Sequence, residues 1–406
     1  MMIINILDQR DFLDLNGSTT KLIQNAINEC SKNGGGTVII PGNGDYIIDG
    51  IVMENNVTLS IEKGARLIGS GNESKYIKRE GPFELLKNDT PICSLIYAKN
   101  SSHISIVGAG KIIGSYQKFI FPEQKLAPHL KSYKYPRPMT IYFENCKNIY
   151  INNVTISDAP FWTIHLVGCV NTEIDDIKIY NESRMPNTDG IDIDRSKNTF
   201  IHNCIIVTGD DAICSKCTEE TKQYGDCTNL LVENCQLTSQ SSGIKFGSSS
   251  FGNFVNCNFK KISIKDSNRG LAFQLRDPGS AKNIIFEDIN IVTKHFTEEW
   301  WGSGEPIFIT LLPRNKDTDL AGQVIKNIQF KNIKCNAENG ILLYTNVDNA
   351  IQDITFENVD IDLRVPVGSK VVYDLRPCLE IDRINTSLKY IEHKNDQGVI
   401  FNGKKI

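Results

Sequence analysis

Five aspartates fall in two short segments of this 406-residue chain: Asp189, Asp192 and Asp194 in 184–194, and Asp210 and Asp211 in 209–212. Asp189 and Asp210 are 21 residues apart. If that spacing is one coil of a solenoid, the two segments lie in register on adjacent coils. Neighbouring strands are ~4.8 Å apart, so Asp189 is expected close to Asp210 and Asp211. Carboxylates that close are costly to hold ionised, and such clusters are tolerated mainly where they do chemistry or bind a cation. The plainer alternative is that they cap turns, since Asp-Gly and Gly-Asp are ordinary turn dipeptides.

Whether they meet depends on the elements that carry them. Between the two segments, 197–207 reads as one strand-rich unit, and the same phrase recurs along the chain. Ile149-Tyr150-Ile151-Asn152-Asn153-Val154 returns as Leu230-Leu231-Val232-Glu233-Asn234-Cys235, Ile284-Ile285-Phe286-Glu287-Asp288-Ile289 and Ile354-Thr355-Phe356-Glu357-Asn358-Val359. Asn148, Asn171, Asn198 and Asn229 each open a unit, at steps of 23, 27 and 31 residues. Short strands at a period in the twenties, with no helices between them, indicate a parallel β-helix, each coil burying one alternating face against its neighbours. Asn145-Cys146, Asn203-Cys204, Asn234-Cys235 and Asn256-Cys257 fit ladders of turn asparagines and small buried thiols.

Residues 18–32 differ. Their apolar positions 22, 23, 26, 27 and 30 have helical spacing, with Ser or Thr available to cap the start. One apolar stripe needs a surface to cover, and the open end of a solenoid is such a surface. Two stretches break the repeat: 115–138, rich in Lys, Pro and Tyr, and 293–323, which holds Trp300-Trp301. Long insertions in a solenoid often wall a binding groove, and the tryptophans suit stacking on a sugar ring or pinning the loop.

The balance of charge narrows the partners. A net charge of −4 provides no basic field, so neither nucleic acid nor an anionic membrane is an expected partner. No run approaches 18 apolar residues and the start lacks the pattern of a signal peptide, so a cytoplasmic location with reduced cysteines is expected. Cys214 and Cys217 have metal-ligand spacing, but no second Cys or His pair answers them, and no metal site is expected.

These residues resemble glycoside hydrolase family 28, the polygalacturonase group of the pectin lyase-like β-helix proteins. The resemblance rests on Gly34-Gly35-Gly36-Thr37-Val38, Arg137-Pro138, Ala159-Pro160-Phe161-Trp162, Asn187-Thr188-Asp189-Gly190 and Gly209-Asp210-Asp211-Ala212. It implies hydrolysis of a glycosidic bond with inversion: Asp210 as the general acid, Asp189 and Asp211 holding and deprotonating the attacking water. An acid working near neutral pH needs the raised pKa that neighbouring carboxylates supply, and the base must stand off by ~6.5–9.5 Å to admit water. No cofactor is required.

Two departures concern the substrate. Where the family carries Gly-His-Gly, this chain has Ser241-Ser242-Gly243, with Ser242 at the histidine. Where the family's Arg-Ile-Lys grips a galacturonate carboxylate, Ala272 and Gln274 replace the two cations. Such a site loses most of its affinity for a carboxylate. Lys216, Lys245, Arg276 and Arg314 are the cations available to substitute, with Lys245 on the coil next to Asp210. Asn187, His165, Gln274 and Trp301 complete the candidate substrate-binding set.

The expectation is therefore an all-β, single-domain right-handed parallel β-helix over 1–406, with the 18–32 helix as N-terminal cap and 115–138 and 293–323 lining the groove. It is expected to cleave an O-glycosidic bond of a pectin-type or related oligosaccharide, acting from the chain end. The alternatives are a true exo-polygalacturonase with relocated cations, a β-helix that binds carbohydrate without cleaving it, and a lyase. The sequence does not indicate an oligomeric state.

Overall fold

The computed structural model describes residues 2–8, 18–79, 81, 92–121, 127–132, 137–367, 372–378, 381–385, 391–394 and 396–405. Strands dominate, and they pair in parallel from coil to coil. By compactness the chain falls into two units, Met1–Asp192 with Thr199–Ile205, and Ile193–Asn198 with Ile206–Ile406.

In the first unit the helix Thr19–Lys32 buries Leu22, Ile23, Ala26, Ile27 and Cys30, the five positions that the spacing singled out. This face packs on the strands Gly36–Ile40, Asp45–Ile48 and Ile51–Val52. Ser18 stands at the N-cap, but its side chain caps nothing. Thr20 Oγ1 instead accepts the Asp49 amide at 2.9 Å, and Gln24 exchanges two hydrogen bonds with the Val52 backbone. Above it, strands repeat in one register: Ile104 pairs with Ile149, and Ile106 with Ile151, which pairs with Ile174. Every second residue points inward, and like stacks on like.

In the second unit Phe254–Ser267, Ala281–Thr293, Ile325–Ala337 and Ile351–Leu363 run parallel in unbroken order. Their register places Phe259, Phe286, Phe330 and Phe356 in one buried column, the rings stacked 4.8, 5.1 and 4.9 Å apart. A second sheet holds Ile213–Cys217, Ser242–Ser250, Arg269–Leu275, Glu305–Leu311 and Ile341–Thr345, again all parallel. Within Arg269–Leu275, a Cβ on Gly270 would lie 2.3 Å from the Pro306 carbonyl, so only glycine lets the coils stack there. The last coil ends in a turn-back. Ile400–Phe401 pairs antiparallel with Lys404–Lys405.

The asparagine ladder and the cysteine ladder have separate physical causes. Asn198, Asn229, Asn256 and Asn283 all sit at positive φ, near 55–59°, which asparagine tolerates better than other non-glycine residues. Their exposed amides link coil to coil, Asn229 to Asn198 at 2.9 Å and Asn283 to Asn256 at 3.1 Å. Cys146, Cys204 and Cys235 are buried, and each thiol donates to the carbonyl two residues before it.

Of the two interruptions, 293–323 contains the regular strand Glu305–Leu311, fully buried and paired with Arg269–Leu275. Alternation of Ile307, Ile309 and Leu311 is the mark of a coil strand, so the excursions proper are 294–304 and 312–324. In 115–138 the described part packs Tyr116, Ile120 and Leu130 on Met185, and 122–126 and 133–136 lie outside the described residues.

Candidate active site

In the first unit Asp189 is almost wholly buried at the end of a tightly bonded turn. Thr188 Oγ1 donates to the Met185 carbonyl at 2.9 Å, and Asn181 Nδ2 donates to the Thr188 carbonyl at 3.1 Å. The Asp189 carbonyl accepts the Thr163 amide at 2.8 Å. Arg137 clamps the approach: Nη1 donates to the carbonyls of Pro160 and Pro186, and Nη2 donates to Asn187 Oδ1 at 2.8 Å. Its guanidinium lies 4.8 Å over Phe161. Asn187 thus belongs to the turn that presents Asp189. His165 is buried edge-on between Trp162 and Tyr142, at 4.8 and 5.2 Å, so its ring is part of the packing.

In the second unit Asp210 and Asp211 stand in different surroundings. Asp210 is partly exposed, and its Oδ1 accepts the Asp211 amide at 2.9 Å. Its carbonyl is fixed by the hydroxyls of Thr208 and Ser239. Asp211 is buried, with Oδ1 accepting Ser241 Oγ at 2.8 Å and the Ser242 amide at 3.1 Å. Its Oδ2 accepts Lys245 Nζ at 2.7 Å. Burial opposes the charge on Asp211, but Lys245, then Lys216, and the bonds from Lys245 and Ser241 outweigh it, holding the carboxyl below its ordinary range. Burial likewise works against the Lys245 ammonium, and Asp211 more than restores it, leaving its pKa raised.

Lys245 reaches Asp211 because parallel register puts it opposite Cys214, three residues beyond Asp211. Trp301 flanks it, with the ammonium 5.9 Å from the indole centroid. The two tryptophans divide: Trp300 is buried, and Trp301 is 37% exposed. Ser242 takes the place expected of a histidine but contributes through its backbone. Its buried hydroxyl has no hydrogen-bond partner among the described residues. Asp194 is structural, accepting the amide and hydroxyl of Thr218. Cys214 and Cys217 point their thiols at separate carbonyls, Gly247 at 3.0 Å and Asn253 at 3.7 Å.

Arg314 and Arg276 serve the fold. Arg314 grips Asp277 with both Nε and Nη2 at 2.7 Å. Arg276 and Gln274 donate to carbonyls of Leu375, Arg376 and Pro377. Next to Lys245 in register come Ala272, then Phe308 and Leu342, an apolar row buried beneath Tyr373 and Leu375. The segment 372–378 therefore roofs the strands where cations were expected. It is tied to 294–304 by Asp374, whose Oδ2 accepts the Gly302 amide at 2.8 Å and whose carboxylate pairs with Arg376. Sequence reasoning missed Ser241 and this segment. Ser241 stood beside a residue already singled out, whereas 372–378 carries no local signal of where it docks.

The stacked coils define the class, a right-handed parallel β-helix. Residues 30–372 match Glycosyl hydrolases family 28, and the chain belongs to that family. A protein named "Probable polygalacturonase" from Vitis vinifera is 29% identical over 304 residues, 70% of this chain and 59% of the relative, so the match spans little more than half of that protein. A family 28 exopolygalacturonase from Yersinia enterocolitica superposes with a TM-score of 0.70 at 18% identity, over 100% of this chain and 79% of that one. PfbA, a surface adhesin of Streptococcus pneumoniae, also superposes, with a TM-score of 0.57 at 14% identity over 93% of this chain and 99% of that one. At these identities the two structures share the fold alone.

Proposed function

We propose that the chain hydrolyses a glycosidic bond of a pectin-type oligosaccharide with inversion, using Asp189, Asp210 and Asp211. Asp210 protonates the leaving oxygen, while Asp189 and Asp211 hold and deprotonate the water. The observation that carries this reading is the contrast between adjacent carboxyls: Asp211 is buried and ion-paired to Lys245, and Asp210 is partly exposed, its Oδ1 accepting the Asp211 amide. Two carboxyls whose surroundings differ are suited to acid and base roles. The polygalacturonase names of the relatives support a pectin-type substrate.

The cleaved residue is proposed to be other than galacturonate. Ala272 lies under an apolar roof, and Gln274, Arg276 and Arg314 are bound to the protein's own groups. The roof formed by 372–378 beside Lys245 favours attack at a chain end. A true exo-polygalacturonase is the second reading, in which Lys245 or Arg314 takes up the carboxylate.

A panel of uronic and neutral oligosaccharides, assayed for released sugar beside Asp210→Asn, tests the proposal. Wild-type release that falls by about 10²–10⁴-fold in the variant is expected. Binding without release across the panel would replace hydrolysis by carbohydrate binding.

A further inference from the structure

The geometry assigns Lys245 as a positioning residue for Asp211, keeping that carboxylate anionic and aimed while a water is bound, rather than gripping a substrate carboxylate. This rests on the hydrolytic reading above. Three observations support it. Lys245 is buried, and its Nζ lies 2.7 Å from Asp211 Oδ2, within the range of a charge-assisted hydrogen bond. Asp211 Oδ1 is already filled by Ser241 Oγ and the Ser242 amide, so Lys245 controls the oxygen that remains. The position itself is set by register on the neighbouring coil, with Lys245 opposite Cys214.

The alternative task, binding a substrate carboxylate, would require the ammonium to leave a buried anion. Removing one partner of a buried pair leaves the other charge uncompensated, which is strongly unfavourable. The charged and titratable groups around the pair are Lys216, Asp210 and Cys214. Lys216 acts in the same sense as Lys245 on Asp211, and Asp210 and Cys214 favour the charged form of Lys245. Burial alone would push Asp211 towards its neutral form, in which it cannot accept a proton from water. Lys245, the largest of the opposing contributions, reverses that together with Lys216 and Ser241.

The sign of the effect on catalysis follows. If Asp211 must be ionised, activity falls as pH drops through its pKa. Without the Lys245 charge that pKa rises, and the acidic limb of kcat/KM moves to higher pH. Lys245→Met is expected to move the limb up by about 1–3 pH units, with kcat falling more than KM changes. Lys245→Arg keeps the charge and is expected to keep the limb in place.

A second readout does not need turnover. In protein with carbon-13-labelled aspartate carboxyls, the resonance that disappears in Asp211→Asn is expected to titrate at higher pH in Lys245→Met than in wild type. If the wild type releases no sugar from any substrate, hydrolysis fails while this titration still tests the pair. Should Lys245→Met not fold, Lys245→Gln, which keeps a donor without a charge, replaces it. An unchanged acidic limb and an unchanged titration in a folded, uncharged variant would overturn the assignment. So would a rise confined to KM for uronic substrates.

Discussion

Arg276 donates its Nε–H to the carbonyl of Pro377 at 2.6 Å, across 101 residues of sequence. The same guanidinium reaches the Leu375 carbonyl at 3.1 Å and Thr310 Oγ1 at 2.9 Å. A buried cation thus clamps 372–378 against the sheet at the place where the family resemblance led us to expect sugar-binding cations. Arg276→Met is expected to lower stability by about 2–4 kcal/mol, because the buried Leu375 carbonyl and the part-buried Pro377 carbonyl lose their donor. Denaturant unfolding measures the loss, and limited proteolysis should cut 372–378 first. Unchanged resistance in that segment would show that Tyr373 and Leu375 hold it without the arginine.

Arg314 separates the two substrate readings. Its bidentate grip on Asp277 leaves that buried carboxylate unpaired when the arginine is lost. Arg314→Gln should cost about 3 kcal/mol and leave KM for digalacturonate unaffected. A higher KM at unchanged stability would instead give Arg314 to the substrate and restore the exo-polygalacturonase reading.

Asp374 makes stability depend on pH. Burial opposes its charge, but Arg376, the Arg269 charge and the Gly302 and Arg376 amides outweigh it, and its pKa is lowered. A depressed carboxyl stabilises the fold fully above its unfolded value of ~3.9, and the contribution is lost as pH falls through the folded value. The stability gap between wild type and Asp374→Asn should therefore be widest above about pH 4 and shrink below it. Chemical denaturation across that range checks this, and a gap that stays constant would mean the carboxylate charge is not what fastens the segment.

How much of this was legible beforehand depended on range. The helix face at 22, 23, 26, 27 and 30 and the phenylalanine column follow from local periodicity, because a coil repeats its inward positions. Asp210 and Asp211 were legible as a motif, and Lys245 as a neighbour through coil length. Its bond to Asp211 was not, since side-chain reach across a sheet leaves no trace in spacing. Nor was the strand Glu305–Leu311, which two tryptophans and several turn residues disguised as insertion. The docking of 372–378 depends on backbone carbonyls, which every residue has, so no residue type advertises it.

The turn-back at Ile400–Lys405 has a consequence for the protein in solution. A ladder of parallel strands offers each final edge as a template for another chain, and a solenoid could in principle grow into a fibre from it. Here the pairing beyond Phe401 is antiparallel and short, and it presents Lys404 and Lys405, both exposed, along that edge. Like charges meeting there repel, which disfavours pairing of another chain along this strand.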